Sequence, residues 1–424
     1  MLYRNKLFTI FKTPMTFDLW HLTYRPSDEI LKKYADLLIK FALWSGEWCR
    51  PWDIVLLQVP ECARPILEPL QQSVLEAWWH PIIQYLPDGL SKPFFQQAND
   101  EQISYAPTQR LLWTIADVTH TVRILAEHDK TELQWIDSKK IMSRLQAMQF
   151  YKKAMFAKEG EGKLTWTLAL YGTPAMAAEV GMSEQEYRDQ IIKACYLDYP
   201  DPISERKQLY VQLEQVRSRL SDLKIEKLHI IWEDADLWIK IGADRQWLAG
   251  SGRNIPSFEC FVSPDWRGTQ GWIRFNQPLY YQSNIIKGIQ LWFENGKVIK
   301  ASASENEQLL LDMIAVTNAD KIGEYSLTDR RMSRITRLMW DTLYDENIWW
   351  EYGNTHLALW SAYKDSYIHG EVWVSEEQWR ELWFNDSAVH TDIMSTTDRT
   401  VTATLSDGSE VVIYKNGEFQ MDLI

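Results

Sequence analysis

Residues 227–242, KLHIIWEDADLWIKIG, alternate apolar and polar side chains over most of their length, the period of a strand with one face buried. They follow directly on 203–223, ISERKQLYVQLEQVRSRLSDL, which reads as a long polar-faced helix. The texture of the chain changes here, so we expect a domain boundary near 225–240, dividing 1–230 from 231–424.

Upstream of it, helical and strand-like patterns take turns. In 28–43, DEILKKYADLLIKFAL, apolar positions recur at helical spacing, with Ser27 placed to cap and Asp28 and Glu29 in the first turn. DIVLLQVP (53–60) reads as a buried strand and RPILEPLQQSVLEAWWH (64–80) as the next helix. Residues 164–202 run from an apolar strand through a Gly-Thr-Pro turn into two helical stretches. Repetition of this order predicts an α/β N-terminal domain with a largely parallel sheet. Downstream, three runs carry hairpin turn pairs: IQLWFENGKVIKASA at Asn295-Gly296, TVTATLSDGSEVVIY at Asp407-Gly408 and EVVIYKNGEFQM at Asn416-Gly417. They predict an α+β, β-rich, antiparallel C-terminal domain, in which SENEQLLLDMIAV (304–316) is the clearest helix.

At 424 residues the chain is too long for one core. Hydrophobic residues at 46% and charged residues at 24% are those of a soluble globular protein, though 22 Trp is unusually many. The net charge is −13, and no Lys/Arg cluster is dense enough to track a phosphate backbone, so nucleic acid is not an expected partner. No segment offers the roughly 18 uncharged apolar residues of a membrane span, and Lys12 and Pro14 interrupt the brief apolar run near the N-terminus, so no leader is expected. Cys49, Cys62, Cys195 and Cys260 lie far apart without a CxxC pair. That suggests neither a structural zinc site nor a disulfide framework, and fits a reducing cytoplasm.

Chemistry-bearing residues gather in the second half. In SAVHTDIM (387–394), Val389, Thr391 and Ile393 alternate with His390 and Asp392. On a strand the latter two share a face about 6 to 7 Å apart, a spacing from which two ligands converge. Glu259 stands in an apolar run, SGRNIPSFECFVSP; Glu324 follows a glycine in ADKIGEYSL; His356 is enclosed by Leu, Ala and Trp in YGNTHLALWSAY. Each alone has a bland reading: a half-exposed pair, a snorkelling Glu, a helix-end Glu, a core His bonded to a carbonyl. Together they are two imidazoles and three carboxylates, a set suited to zinc, cobalt or manganese. Five ligands exceed what one open catalytic ion needs and point to two divalent ions, although no HExxH signature is present.

Several segments resemble the thermophilic-type metallo-aminopeptidases, the aminopeptidase T and aminopeptidase S family (peptidase family M29). The resemblance is carried by ILKKYADLLIKFAL, WTLALYGTPAMAAEVGMSEQEY, CYLDYPDP, SGRNIPSFE, YDEN, GNTHLAL and AVHTD, in that order along nearly the whole chain. It implies a dimetal exopeptidase that hydrolyses the N-terminal bond of peptides with a free N-terminus, as a cytoplasmic homodimer. The family's metal positions fall on Glu259, Glu324, His356, His390 and Asp392; Tyr363 matches an active-site tyrosine and Glu346 an acidic residue close by. By spacing, His356 and Tyr363 would point to opposite faces of a strand, or share a helix face about 10 Å apart, so that one meets metal and the other substrate. The implied mechanism takes a proton from a metal-activated water with Glu324 or Glu346 and lets Tyr363 donate to the oxyanion. Trp349, Trp350 and Trp360 stand where many members have glycines, so indoles are expected to crowd the pocket; Trp360, four residues after His356 and on its face in either a strand or a helix, is expected to favour small or flat first side chains. A pocket so filled would suit two other functions: a non-catalytic metal- or peptide-binding protein on the same scaffold, or a hydrolase of a non-peptide amide.

Overall fold

The computed structural model describes residues 25–45, 50, 52–242, 244–250, 252–281, 284–370, 374–387 and 390–420. Lys12 and Pro14 of the N-terminal stretch, Cys49, Val389 and the side chain of Trp360 lie outside the described residues.

Ser27 caps the helix Asp28–Lys40, its Oγ accepting from the Ile30 amide at 3.3 Å, and Leu31, Tyr34, Ala35, Leu37, Leu38 and Ile39 form the buried stripe. The strands it covers are β1 (Ile54–Pro60), β2 (His80–Leu86), β3 (His120–Leu125) and β4 (Thr165–Leu170). They lie in the order β2-β1-β3-β4, all parallel. β1 buries Val55, Leu56 and Leu57 in succession, which is why its sequence is a continuous apolar run rather than an alternation. The helix expected over 64–80 is shorter: it occupies Leu67–Glu76, after a 3₁₀ stretch at Glu61–Ile66. Trp78 takes a left-handed φ of 63°, and the chain reverses into β2, which claims His80 for the sheet.

Residues 227–242 fold as an antiparallel hairpin of Ile225–Trp232 with Ala235–Lys240, with Leu228, Ile230, Ala235, Leu237 and Ile239 buried. It forms the centre of an eight-stranded sheet that runs from Lys297–Ser302 at one edge to Glu418–Phe419 at the other. All three expected hairpins are in this sheet. Asn295 and Gly296, and Asn416 and Gly417, have positive φ at both central positions, as a two-residue turn of this kind demands. At 406–409 only Gly408 does, and the loop is longer.

The chain does not part cleanly at 230. Strand Ile225–Trp232 spans that point, and Asn254–Ile255 returns to the parallel sheet as a fifth strand beside β4. From there it enters a third sheet: β5 (Glu259–Val262), β6 (Ile322–Thr328), β7 (Asn354–Trp360) and β8 (His390–Ser395), antiparallel in the order β8-β7-β6-β5, with Leu248–Ala249 outermost. Every residue of β6 is buried.

Candidate metal centre

Register decides what meets on this third sheet. Directly opposed residues of antiparallel strands point to the same face. Thr328 faces Glu259, Ser326 faces His356, Ala358 faces Glu324 on one side and Asp392 on the other, and the backbone of residue 360 pairs with that of His390. Glu259, Glu324, His356, His390 and Asp392 therefore share one face. Ala358 separates Glu324 from Asp392 with the smallest side chain that has a Cβ, and a register shift between Ile322 and Glu324 re-aims the start of β6 beside the site.

The ligand atoms converge. His356 Nε2 lies 3.1 Å from Glu324 Oε1, 3.3 Å from Glu259 Oε2 and 3.7 Å from Asp392 Oδ1. His390 Nε2 lies 3.2 Å from Asp392 Oδ1 and 3.4 Å from Glu324 Oε2. Two sets result, Glu259–Glu324–His356 and Glu324–His390–Asp392, within each of which all ligand atoms lie inside 4.8 Å of one another. Glu324 belongs to both. Outer contacts fix the ligands: Ser326 Oγ donates to Glu259 Oε2 at 2.6 Å, Ser257 Oγ to Glu259 Oε1 at 3.4 Å, and His390 Nδ1 donates to the Ser361 carbonyl at 3.0 Å. That last bond requires a proton on Nδ1 and leaves Nε2 as the nitrogen that faces the carboxylates and would meet a cation.

Electrostatics describe a cluster that wants cations. Burial, then the carboxylates of Glu324 and Asp392, push Glu259 up to about 7 against the pull of His356. Burial draws the imidazoles down, but the surrounding carboxylates outweigh it and raise His356 to about 9 and His390 to about 10. In Asp392 burial is outweighed by the two imidazoles, and the carboxyl falls below its usual range. Yet Asp392 Oδ1 is buried with no aligned hydrogen-bond donor, although both imidazoles approach it. An orphaned acceptor among two imidazoles and two further carboxylates fits a divalent cation.

Glu346 and Tyr363 line the same cavity, a space of about 470 Å³ that is partly open to solvent. Glu346 Oε1 accepts from Asn347 Nδ2 at 3.3 Å and Asn254 Nδ2 at 3.5 Å. β7 ends at Trp360, so Tyr363 obeys neither a strand's nor a helix's parity. It turns back, and its ring meets those of His390 and Phe261 edge-on at 5.3 Å each. Trp349 and Trp350 do not line the cavity; they precede β7, at 40% and 44% exposure. Among the described side chains, the indole that does line it is Trp166, on β4, beside Arg253. Neither carried a local signal, since they reach the site only through the packing of the parallel sheet's edge. Ser326 did: it shares parity with Glu324.

Known proteins give the same answer as the geometry. Over 27–419 the chain matches the model of the thermophilic metalloprotease family (M29). It is 24% identical to aminopeptidase PepS of Streptococcus thermophilus, over 92% of this chain and 98% of that one. It is 25% identical to aminopeptidase 2 of Geobacillus stearothermophilus, over 93% and 98%. Among solved structures, AmpT of Thermus thermophilus superposes with a TM-score of 0.79 at 20% identity, covering 92% of this chain and 99% of that one. A 2,5-dihydroxypyridine dioxygenase from Pseudomonas putida shares the fold more distantly, with a TM-score of 0.51 at 11% identity, so fold alone does not choose the chemistry. A family match over almost the whole length, on a chain whose third sheet gathers two imidazoles and three carboxylates on one face, makes this protein a member of the thermophilic metalloprotease family M29.

Proposed function

We propose that the chain is a metallo-aminopeptidase, a hydrolase that releases the N-terminal residue of peptides, with two divalent ions (zinc, cobalt or manganese) held by Glu259, Glu324, His356, His390 and Asp392. The observation that carries this reading is Glu324, whose two oxygens address different imidazoles, so that one carboxylate can serve two ions. When bound, such ions supply Lewis acidity toward the scissile carbonyl and the attacking water. The remaining work falls to the chain. Glu346, which lines the cavity beside the ligands, takes the water's proton and returns it to the leaving amine; burial first, and the neighbouring carboxylates next, push its carboxyl well above the usual range in the metal-free protein, and cations on those carboxylates would draw it back to the ionised form that accepts a proton. Glu324, with both oxygens engaged, is the weaker candidate for that role. Burial and the surrounding carboxylates also hold the Tyr363 phenol well above its ordinary range, so it remains a donor to the developing oxyanion.

We assign the catalytic unit to 231–424, where all five ligands arise, with 1–230 as its α/β support, and place the protein in the cytoplasm as a homodimer. Cys62, Cys195 and Cys260 are free thiols, which supports a reducing compartment, and no helix among the described residues is long and apolar enough to cross a membrane. The outer strand β2 exposes Ile82 and Ile83, an edge that a second copy would cover. Light scattering at micromolar concentration should give a dimer mass; a monomer would overturn that part.

The test is metal analysis together with a panel of aminoacyl p-nitroanilides. Two ions per chain and release of p-nitroaniline are expected. Bound metal with no turnover across the panel would favour a binding protein, and turnover of non-peptide amides alone would favour the other hydrolase.

A further inference from the structure

The metal cavity continues outward. A groove of about 1900 Å³ shares Trp166, Arg253 and Tyr363 with it and runs between the helix Ser138–Gly160 and parts of the segment that joins β7 to β8. A peptide whose first residue sits at the metals has this groove for the rest of its length. Most charges along it already answer one another: Arg253 reaches Glu159 and Asp365 at 2.6 Å each, Lys163 lies 2.8 Å from Glu161, and Lys153 3.9 Å from Asp386. Lys152 differs. It lines the groove, and among the described residues its Nζ has no ion pair or hydrogen bond; its one recorded contact is the Phe156 ring, 5.5 Å away, one turn along the same helix. The side chain is open to solvent, yet its surroundings are dense enough that burial draws the ammonium below the usual lysine range. An ammonium that lines the groove without a counter-charge is complementary to an anion.

We propose that Lys152 is a specificity residue of this groove, seating a carboxylate on the departing part of the peptide: the C-terminal carboxylate of a short peptide, or an acidic side chain. This rests on the aminopeptidase reading above. Three substrates separate the sources: Leu-Gly-Gly, its C-terminal amide, and Leu-Gly-Glu amide. Metal-loaded wild type should favour at least one carboxylate-bearing peptide over the plain amide by roughly tenfold in kcat/KM, and Lys152→Met should bring that ratio close to one. Preference confined to Leu-Gly-Gly identifies the C-terminus; preference for Leu-Gly-Glu amide identifies the side chain. A ratio unchanged by Lys152→Met overturns the proposal, as does an equal loss in Lys153→Met, which would mean a diffuse field rather than a seat. The same peptides titrated calorimetrically into metal-free protein give a readout independent of turnover: Lys152→Met should weaken the acids and spare the plain amide. If wild type hydrolyses none of the three, the aminopeptidase reading falls, and the titration alone decides whether Lys152 holds a carboxylate.

Discussion

Ala358 illustrates how much the site depends on a residue with no reactive group. It lies between Glu324 and Asp392 on the metal face, fully buried, and its small side chain leaves the space those carboxylates share. Ala358→Leu should fill that space and drop metal content to background, at a folding cost of about 1–3 kcal/mol, read by metal analysis beside denaturant unfolding. A variant that kept its full metal complement would show that the carboxylates meet elsewhere. Asp392→Ala should lose metal and activity together. Glu346→Gln should keep its metal and lose about 10²-fold or more in kcat, the usual weight of a proton-transfer group; equal metal loss in both would make Glu346 a ligand. Ser326→Ala removes the 2.6 Å bond to Glu259 and should weaken metal binding about 10- to 100-fold. Parity within one strand made His390 and Asp392 legible together from sequence. The meeting of Glu259, Glu324 and His356 was not legible that way, because it depends on the register between strands; the family resemblance supplied it. Trp349 and Trp350 were misread for a different reason: they stand close to His356 in sequence but before β7 begins, on no strand, and are partly exposed away from the cavity.

At the scale of elements, the strong local signals were the ones that held. The hairpin around Asn295-Gly296 and the capped helix Asp28–Lys40 are set by neighbours in sequence, whereas the return of Asn254–Ile255 to the parallel sheet is a long-range pairing that no local pattern announces. The helix Asp28–Lys40 is tied to Leu67–Glu76 by charges: Lys32 and Lys40 both reach Glu76, at 2.8 and 2.9 Å, and both also reach Asp36. Hydrogen bonds from Lys32 and Lys40 hold Glu76 down to about 2. A carboxylate depressed in the folded state contributes stability above its unfolded value near 4.5 and loses it as pH falls toward 2. Glu76→Gln should therefore lower the urea midpoint at pH 7 and converge with wild type near pH 2. With the carboxylate 39% exposed and screened by salt, the difference should stay under about 1 kcal/mol.

For the molecule as a whole, the proposed ligand set makes metal and proton compete for one cluster. His356 near 9 and His390 near 10 carry protons at neutral pH when no cation is bound, and both must release them to ligate. Metal uptake at pH 7 should expel protons, counted by calorimetry in two buffers of different ionisation enthalpy, and apparent affinity should rise with pH up to about 10. Stability of the metal-free protein has the opposite slope. Imidazoles raised above the unfolded 6.5 stabilise the fold fully below that pH and cease to as it rises through 9 and 10; Glu259, raised to about 7, adds a loss of the same sign between 4.5 and 7. Thermal midpoints of chelated protein should fall across this range, while those of loaded protein fall less. A flat profile for chelated protein would mean the cluster is not charged as described.

The strand Asn254–Ile255 also bears on how the molecule comes into being. A ribosome that has released only the first 230 residues leaves β4 with a bare flank of peptide groups, a template for pairing with another nascent chain until the next two dozen residues emerge to cover it. The border between the two halves is thus a seam sewn from the far side, and a gene cut there would yield an aggregate before it yielded a domain.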